Sequence, residues 1–418
     1  MTTRRAGPIL VVAALAAACS PDIPTMAFTG ATVWDGTGAA SVPNATIVVR
    51  EGRIISIDED TPPPRGAEVV ALDGKHVIPG LINAHGHVSG RWAPAGVTDS
   101  AERVRGDLRQ YALYGVTTVN SLGDDETVIG VRDAATGTEP HARLFAAGPV
   151  IDEFDADAAR AAATANADAG VDWLKLRVDD NLGSSDKMPW EAVQAVMDVG
   201  DERDIPVATH LFYLEDAKRL LEMGSGMLAH SVRDAPVDEE LIAALRSSGV
   251  CYVPTLTREV STFVYSERPD FFDDPFFTRH ADQTEMERVS EPAFMQRMAE
   301  STAAAGYRIA LEQANENLVA ISEAGLPVAM GTDTGPAARF PGYFEHLELW
   351  MMVEAGMTPA EALRSATGVA AECLGDDEIG TLEPGRWADF LVLGEDPLAD
   401  IEATRSLERV FVAGMEVR

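Results

Sequence analysis

Two histidines, His85 and His87, follow an apolar run at residues 77–82 and are separated by a single glycine. In an extended segment, residues two positions apart point to the same side, so both imidazoles are expected to face one point. A neutral imidazole is a good ligand for zinc and iron. The spacing alone leaves two interpretations open: a pair of metal ligands, or two loop histidines without a common role.

Further polar residues stand at other apolar runs. His210, His230 and Asp333 each come at the end of a short run, and Lys175 lies within one. If these runs are parallel strands, their carboxyl ends meet at one mouth. Four imidazoles, a carboxylate and an amine gathered there predict a metal site. The alternative is that each is an ordinary polar residue, and this would have to hold by chance at five separate strand ends.

The elements that position these residues change along the chain. Residues 26–76 contain short β-rich runs between turns, and residues 380–414 show the same pattern. Between them, short apolar runs alternate with amphipathic helical stretches, the runs being 77–82, 116–119, 144–147, 173–176, 206–209, 227–229, 252–254 and 327–330. Eight such units predict an α/β fold, a (β/α)8 TIM barrel with its active site at the carboxyl ends of the strands.

These patterns divide the chain into three predicted regions. Residues 1–19 are a lipoprotein-like signal peptide, residues 20–76 plus 378–418 form a composite β-sandwich from both termini, and residues 77–377 form the metal-dependent barrel. A helical insertion is expected at about 257–325. Its aromatic residues either line a lid over an apolar substrate pocket or only attach the insertion to the barrel: Phe263, Tyr265, Phe271, Phe272, Phe276, Phe277, Phe294 and Tyr307.

The amino terminus predicts export. Arg4 and Arg5 precede an apolar run at 8–18 that is too short for a permanent membrane span, as in a secretory signal. Residues 15–20 resemble a lipoprotein cleavage site with Cys19 as the lipidated residue, although secretion without a lipid stays open. We therefore expect a periplasmic protein or an outer-membrane-anchored lipoprotein. Cys251 and Cys373 lie in apolar segments and are expected to be buried thiols rather than a bridge.

The charge balance limits the partners. The chain has 67 acidic and 33 basic residues and a net charge of −34. Nucleic acids and anionic membranes need a basic face, so neither is an expected partner. We expect a small-molecule substrate and assembly into a homo-oligomer.

Several stretches carry a family resemblance. Residues 77–87, 114–119, 254–256, 331–334, 354–363 and 379–390 resemble the amidohydrolase superfamily, and within it the prolidase and imidazolonepropionase-like group. The resemblance covers nearly the whole chain after the signal. It implies a barrel with a composite β-sandwich, and a hydrolase that cleaves an amide C–N bond in a dipeptide, an N-acyl amino acid or a cyclic amide.

The resemblance also implies a ligand set. His85 and His87 would bind one metal with Asp333, and His210 and His230 would bind a second. Lys175 would carry a carbamate that bridges two divalent ions, with zinc expected. The alternative is a single zinc or iron ion, with Lys175 an ordinary barrel lysine paired with Asp333.

The implied mechanism assigns proton transfer to Asp333, which takes a proton from a metal-activated water and passes it to the leaving nitrogen. The chain departs from the family pattern in two places. Asn83 replaces a common Asp, and residues 148–153 lack a histidine that would polarise the carbonyl. Tyr213 and Arg177 are candidates for an oxyanion or substrate-carboxylate contact. Alternatively, Tyr213 packs, and Arg177 pairs with a nearby carboxylate: Asp179, Asp180 or Asp234.

Two other functions stay open. One is a mononuclear, imidazolonepropionase-like cyclic amidase or a lactonase. The other is a non-catalytic metal-binding surface lipoprotein, although a binding site does not need the proton acceptor Asp333. Tyr213 stands where deaminases usually have Glu, which weighs against deamination. Glu345 and His346 are expected either to rim the pocket or to begin a helix.

Overall fold

The computed structural model describes residues 25–418. The predicted signal peptide, including Cys19, lies outside the described residues. Within them, no helix combines the length and apolar character needed to cross a membrane.

The strands of the described chain are β1 Met26–Val33, β2 Val42–Arg50, β3 Arg53–Glu59, β4 Glu68–Ala71, β5 His76–Pro79, β6 Leu81–Gly86, β7 Val116–Ser121, β8 Arg143–Ala146, β9 Leu174–Arg177, β10 Val207–His210, β11 Met227–Leu228, β12 Cys251–Tyr252, β13 Phe390–Leu393, β14 Leu407–Val412 and β15 Met415–Glu416.

The helices are α1 Ser100–Leu113, α2 Glu126–Asp133, α3 Ala156–Asp168, α4 Trp190–Arg203, α5 Leu214–Glu222, α6 Glu239–Ser248, α7 Leu256–Val260, α8 Pro275–Thr278, α9 Gln283–Val289, α10 Pro292–Ala299, α11 Thr302–Glu323, α12 Tyr343–Ala355, α13 Pro359–Ser365 and α14 Gly368–Leu374. Three 3-10 helices supplement them at Val264–Ser266, Asp270–Asp273 and Ile401–Ser406.

Both ends of the described chain build one eight-stranded sheet, which we call the terminal sheet. Its order is β15-β14-β13-β5-β1-β2-β3, with β4 beside β1. Three buried rings form part of its core: Phe28 lies 4.9 Å from both Phe390 and Phe411, measured between ring centroids. Both ends of the described chain therefore contribute to one sheet, and its arrangement as the predicted composite β-sandwich stays a prediction.

The apolar run at 77–82, predicted as one strand, is two strands divided at Gly80. The backbone N–H of Gly80 donates to Asp389 in the terminal sheet at 2.9 Å, whereas that of Leu81 donates to Gly115 at 3.0 Å. A side chain at position 80 would collide with Thr117. The chain thus passes at this glycine from the terminal sheet to the parallel strands that carry the site.

Two parallel sheets hold the remaining strands, in the orders β6-β7-β8 and β12-β11-β10-β9. Isolated parallel bridges connect them on both sides, through Ile151 and Leu176, through Tyr252 and Val328, and through Gly86 and Thr334. The predicted strand at 327–330 is present as this bridging segment and not as a regular strand. The fold is therefore mixed α/β, and a closed eight-stranded barrel stays a prediction.

The insertion between β12 and residue 327 is helical, with α7 to α11. Most of its aromatic rings are buried against the chain around α12. The rings of Phe277 and Phe340 are 5.0 Å apart, and those of Phe277 and Tyr343 are 4.8 Å apart. These rings attach the insertion to the rest of the fold, which was the second of the two interpretations.

Cys251 and Cys373 form a disulfide whose Cα atoms are 5.9 Å apart. The expectation of two buried thiols was wrong. The two cysteines are 122 residues apart, one in β12 and the other in α14, and the tertiary fold brings them together. A pairing that depends on this long-range approach is not visible in the two local apolar patterns.

Candidate active site

His85, His87 and Asp333 come together at the ends of β6 and of the segment beside it. One possible ligand atom from each lies within 4.8 Å of the others. Oδ1 of Asp333 is 2.9 Å from Nε2 of His87 and 3.8 Å from Nε2 of His85. The backbone of Asp333 is left-handed, with φ 56°, and its N–H donates to the carbonyl of His85. A backbone hydrogen bond between Asp333 and His85 thus holds this group together.

The other predicted ligands lie next to this group. The ring of His230 is 4.7 Å from that of His85 and 4.1 Å from that of His210, measured between centroids. Nζ of Lys175 is 3.4 Å from Nε2 of His85. The structure therefore places the six side chains predicted from strand ends in one buried cluster.

Each histidine of the cluster except His85 has a polar partner that the sequence did not identify. Nδ1 of His87 lies 3.5 Å from Asp124, and Nε2 of His210 lies 3.0 Å from Asp179. Nδ1 of His230 lies 2.6 Å from the hydroxyl of Thr255. Such partners fix the ring orientation of metal-binding histidines. All three stand within a few residues after a strand, which is the signal that could have found them.

Asp333 has a further partner in Arg339, whose Nη1 lies 2.5 Å from Oδ2. Although burial opposes ionisation, Arg339 and then His87 hold the pKa of Asp333 well below its usual range. Arg339 also donates from Nε to the hydroxyl of Ser261 at 3.1 Å. The carboxylate therefore stays ionised and fixed in direction.

The four histidines of the cluster differ in their pKa values. Burial lowers the pKa values of His85 and His230 well below 6.5, and lowers that of His210 to about 3. His87 differs, because Asp124 and then Asp333 outweigh burial and raise its pKa to about 9. Burial lowers the pKa of Lys175 to about 7, so its amine is partly neutral near neutral pH.

The residues present fit a metal ion. Nε2 of His230 and Nδ1 of His85 are buried and have no hydrogen-bond partner among the described residues. A buried polar atom without a partner is unfavourable, and coordination of an ion by Nε2 of His230 would remove this cost. In His85 it is Nε2 that faces Asp333 and Lys175 and would bind an ion there. The neutral state of these two rings is also the state that binds metal.

A buried carboxylate on α12 lies behind the first group. Glu345 accepts from Nδ2 of Asn83 at 2.6 Å and from the hydroxyls of Thr332 and Thr334. Oδ1 of Asn83 in turn accepts from the backbone N–H of His85 at 3.0 Å. Glu345 therefore connects β6 to the segment that carries Asp333.

Glu345 also accepts from the backbone N–H of Gly342, at the start of α12. Of the two expectations for this region, the position at a helix start is the one observed for Glu345. His346 is fully buried, and its Nε2 lies 2.6 Å from the carbonyl of Tyr114. Neither residue rims the pocket.

A second buried carboxylate of α12, Glu348, lies behind the other half of the cluster. It accepts from the backbone N–H groups of Leu256 and Thr257 at 2.6 and 2.7 Å, and from the hydroxyl of Thr257. These residues directly follow Thr255, which is left-handed with φ 53°. A β-branched residue rarely adopts this conformation, and Glu348 helps to hold it.

The two predicted substrate contacts have local partners. Tyr213 donates to Asp180 at 2.8 Å, and Nζ of Lys187 lies 3.8 Å over its ring. Arg177 donates from Nη2 to Asn181 at 2.5 Å. Among residues 25–418 it forms no ion pair with the carboxylates suggested for it, and its Nε has no partner.

A separate apolar cluster lies beside these residues, and we call it the apolar wall. Tyr307 and Ala310 of α11 pack there against Phe212, with Leu182, Tyr213 and Phe263 at its edge. Phe212 follows His210 by two residues, so one residue of the wall lies on the segment that leaves β10. Two aromatic residues of the insertion, Tyr307 and Phe263, therefore belong to this wall.

Comparisons with known proteins identify one family and several relatives of this chain. The profile of the amidohydrolase family matches residues 76–417. An imidazolonepropionase of Deinococcus radiodurans is 22% identical over 398 residues, which cover 90% of this chain and 92% of the relative. The structure of a candidate prolidase from Bifidobacterium longum is 27% identical, with a TM-score of 0.75 and 95% of each chain covered.

A Xaa-Pro dipeptidase with methionine bound in its active site has a TM-score of 0.74 at 22% identity, with 94% of this chain and 99% of that chain covered. At this identity the likeness concerns the fold alone. The family match spans more than half of the chain and confirms the resemblance seen in its motifs. Together with the buried cluster of His85, His87 and Asp333, it shows that this chain belongs to the amidohydrolase family, as a hydrolase that acts on the carbon–nitrogen bonds of a small-molecule substrate.

Proposed function

We propose that the chain is an exported, metal-dependent enzyme that hydrolyses an amide bond in a dipeptide, an N-acyl amino acid or a cyclic amide. The observation that carries this proposal is the position of Asp333. Its carboxylate is hydrogen-bonded to His87, approaches His85, and is held ionised by Arg339. A carboxylate held in this way can accept a proton from a water molecule that lies among the proposed metal ligands.

Two divalent ions, with zinc the first choice, are part of the proposal. His85, His87 and Asp333 would hold one ion, and His210 and His230 the other, with Lys175 between them as a carbamate. The lowered pKa of Lys175 supports this role, because carbamate formation needs a neutral amine. When bound, the ions acidify water and polarise the substrate carbonyl.

Asp333 then moves the proton. Its carboxylate accepts the proton of the attacking water and delivers it to the leaving nitrogen, which is the more basic site once the C–N bond breaks. Arg339 keeps the carboxylate ionised before the reaction and fixes its direction. Asp124 holds His87 from the other side, so the hydrogen-bonded chain has a fixed geometry.

Closure of the parallel strands into a (β/α)8 barrel and export of the chain complete the proposal. The bridges on both sides of the two parallel sheets support closure. The disulfide between Cys251 and Cys373 supports export, because such bonds persist mainly in oxidising compartments. Lipid attachment at Cys19, a periplasmic or outer-membrane location and assembly into a homo-oligomer stay predictions.

A single-ion enzyme that opens a cyclic amide or a lactone is the second candidate. It is favoured by one observation: in the described residues, only His85, His87 and Asp333 meet the distance expected of one metal site. Nε2 of His210 is hydrogen-bonded to Asp179 and is not turned to the other ligands.

The test combines metal analysis with an Asp333→Asn variant. Purified protein is assayed on N-acyl amino acids, dipeptides, cyclic amides and lactones, and its metal is counted by mass spectrometry. We expect two ions per chain and, in the variant, a kcat lowered ~10²- to 10⁴-fold with the metal retained. The exposed Asp186→Asn variant is the control. Unchanged turnover in Asp333→Asn contradicts the mechanism, and one ion per chain supports the second candidate.

A further inference from the structure

Arg258 of α7 is a buried cation with an unused donor. Its side chain is 8% exposed, and its Nη1 lies 3.0 Å from Glu259. Its Nε has no hydrogen-bond partner among the described residues. The guanidinium lies 4.5 Å over the ring of Tyr307, which belongs to the apolar wall.

The charges around Arg258 are unequal. Glu259 is shared with Arg233, whose Nε lies 3.0 Å from the same carboxylate and whose side chain is fully buried. Two guanidinium groups thus pair with one carboxylate. Asp179, the other carboxylate that acts on Arg233, is itself hydrogen-bonded to His210. Asp333 acts on Arg258 only from beyond ion-pair distance, so Glu259 is the one carboxylate in direct contact with it among the described residues. Burial of a cation is unfavourable without a full set of partners, and a second carboxylate would improve this set.

Arg258 is connected to both halves of the imidazole cluster. Its backbone N–H donates to the carbonyl of Thr255, whose hydroxyl is beside His230. Its carbonyl accepts from Ser261, which also accepts from Arg339 beside Asp333. The short helix α7 therefore places this arginine next to the reacting groups and not at a remote surface.

We propose that Arg258 binds a carboxylate of the substrate while the substrate's apolar side chain lies on the apolar wall. This inference rests on the proposed function and narrows it to N-acyl amino acids or short peptides that have a free carboxylate beside an apolar side chain. A guanidinium has the donors to hold a carboxylate in a fixed orientation. In a chain with 67 acidic and 33 basic residues, an anionic substrate also needs such a local cation to offset general repulsion.

Three other arginines are near but fit less well. Arg233 also has unpaired donors, but its side chain is 0% exposed, whereas that of Arg258 is 8% exposed. Arg339 already holds Asp333. Arg177 has a free Nε, but it is less buried than Arg258 and donates to Asn181, with no carboxylate shared between two cations. Two guanidinium groups share one carboxylate at Arg258 and not at Arg177, and the experiment below compares these two arginines.

The experiment measures binding separately from hydrolysis. Zinc-loaded full-length protein, in which Asp333 still occupies Arg339, is titrated calorimetrically with N-methylsulfonyl-L-leucine and with the neutral N-methylsulfonyl-L-leucinamide, whose sulfonamide bonds it would not hydrolyse. We expect the acid to bind at least ~10-fold more tightly than the amide, because the amide cannot pair with the guanidinium. Arg258→Met should remove this preference, and Arg258→Lys should retain part of it.

The control is Arg308→Met, which removes an exposed arginine that stacks on Phe263 in the same insertion and should keep the preference. Arg258→Met should still fold, because Glu259 keeps Arg233, and its unfolding midpoint is measured. Equal binding of acid and amide, binding of neither, or a preference that survives Arg258→Met overturns the inference, as does its loss only in Arg177→Met. If the protein hydrolyses amides but does not prefer ligands with a free carboxylate, the inference fails and the proposed function stands. If it binds the acid selectively but hydrolyses none of the substrates, the proposed function fails and the inference stands.

Discussion

The two halves of the imidazole cluster are held in different ways. The first half, His85, His87 and Asp333, is bound together by charge, since Asp333 lies between His87 and Arg339. In the second half, His210 and His230 lie 4.1 Å apart between centroids without a shared carboxylate. The first half is thus assembled by its own ion pairs, whereas the second depends on its surroundings.

One helix supports both halves through two carboxylates. Glu345 and Glu348 are three residues apart on α12 and therefore lie on one face, and both are fully buried. Glu345 binds Asn83 behind the first half, and Glu348 binds the turn at Thr257 behind the second. Helix α12, which supplies none of the proposed ligands, therefore sets the position of both ligand groups.

The largest expected effect separates the halves by metal content. His87→Ala should remove the ion of the first half and the activity, because His87 joins both His85 and Asp333 there. His230→Ala should leave one ion per chain, because the first half keeps its own ligands. Both variants are measured by metal mass spectrometry and by turnover.

His76→Ala is the matched control, because His76 is half-buried in the terminal sheet and lies 3.8 Å from Asp396. It should keep the full metal content. If His230→Ala loses all of its metal, the two halves bind as one unit and the contrast between them fails.

A smaller effect is expected at the support of the first half. Asn83→Asp would set a carboxylate against Glu345, where the amide now donates at 2.6 Å. We expect metal affinity to fall ~10- to 100-fold, since the backbone of His85 depends on this side chain. Adding Glu345→Gln should restore part of the affinity, because it removes the repulsion. Metal titration of the four proteins checks this, and purely additive losses would show that the two residues act independently.

The smallest expected effect on metal binding concerns the support of the second half, where the change appears in the pH dependence of stability. Burial raises the pKa of Glu348 from 4.5 to about 8. The folded state thus binds this proton more tightly than the unfolded state, so its contribution to stability is complete below pH 4.5 and is lost as the pH rises to about 8. Within this range the free energy of unfolding should fall by at most ~1.4 kcal/mol for each pH unit, and Glu348→Gln should flatten the fall accordingly.

Unfolding free energies between pH 5 and 8 test this, with denaturant as the variable. Glu354→Gln, an exposed position on the same helix, should leave the slope unchanged. An equal slope in Glu348→Gln would mean that other groups produce the pH dependence.

The ligand candidates at strand ends could be predicted from the sequence, because the same pattern recurs at each of them. His85, His210, His230 and Asp333 follow short apolar runs, and the structure brings them together as that pattern predicted. The terminal sheet was also visible, because its strands alternate with turns at both ends of the chain.

The sequence could not show contacts between residues that are far apart along the chain. Glu345 looks like an ordinary helix start until Asn83, 262 residues earlier, is placed against it. Arg258 and Glu259 are adjacent in sequence, but their imbalance exists only because Arg233 shares the same carboxylate. Gly80 looked like part of one strand, because hydrogen bonding to two different sheets leaves no local signature.

The disulfide has a consequence for how the molecule responds to damage. It joins Cys251 to Cys373, so the whole insertion from α7 to α11 lies inside a covalently closed segment of the chain. A protease that cuts one exposed peptide bond there produces two fragments that stay tethered to each other. Until a reductant opens the bond, such a nicked molecule keeps all of its ligand residues on one covalent body.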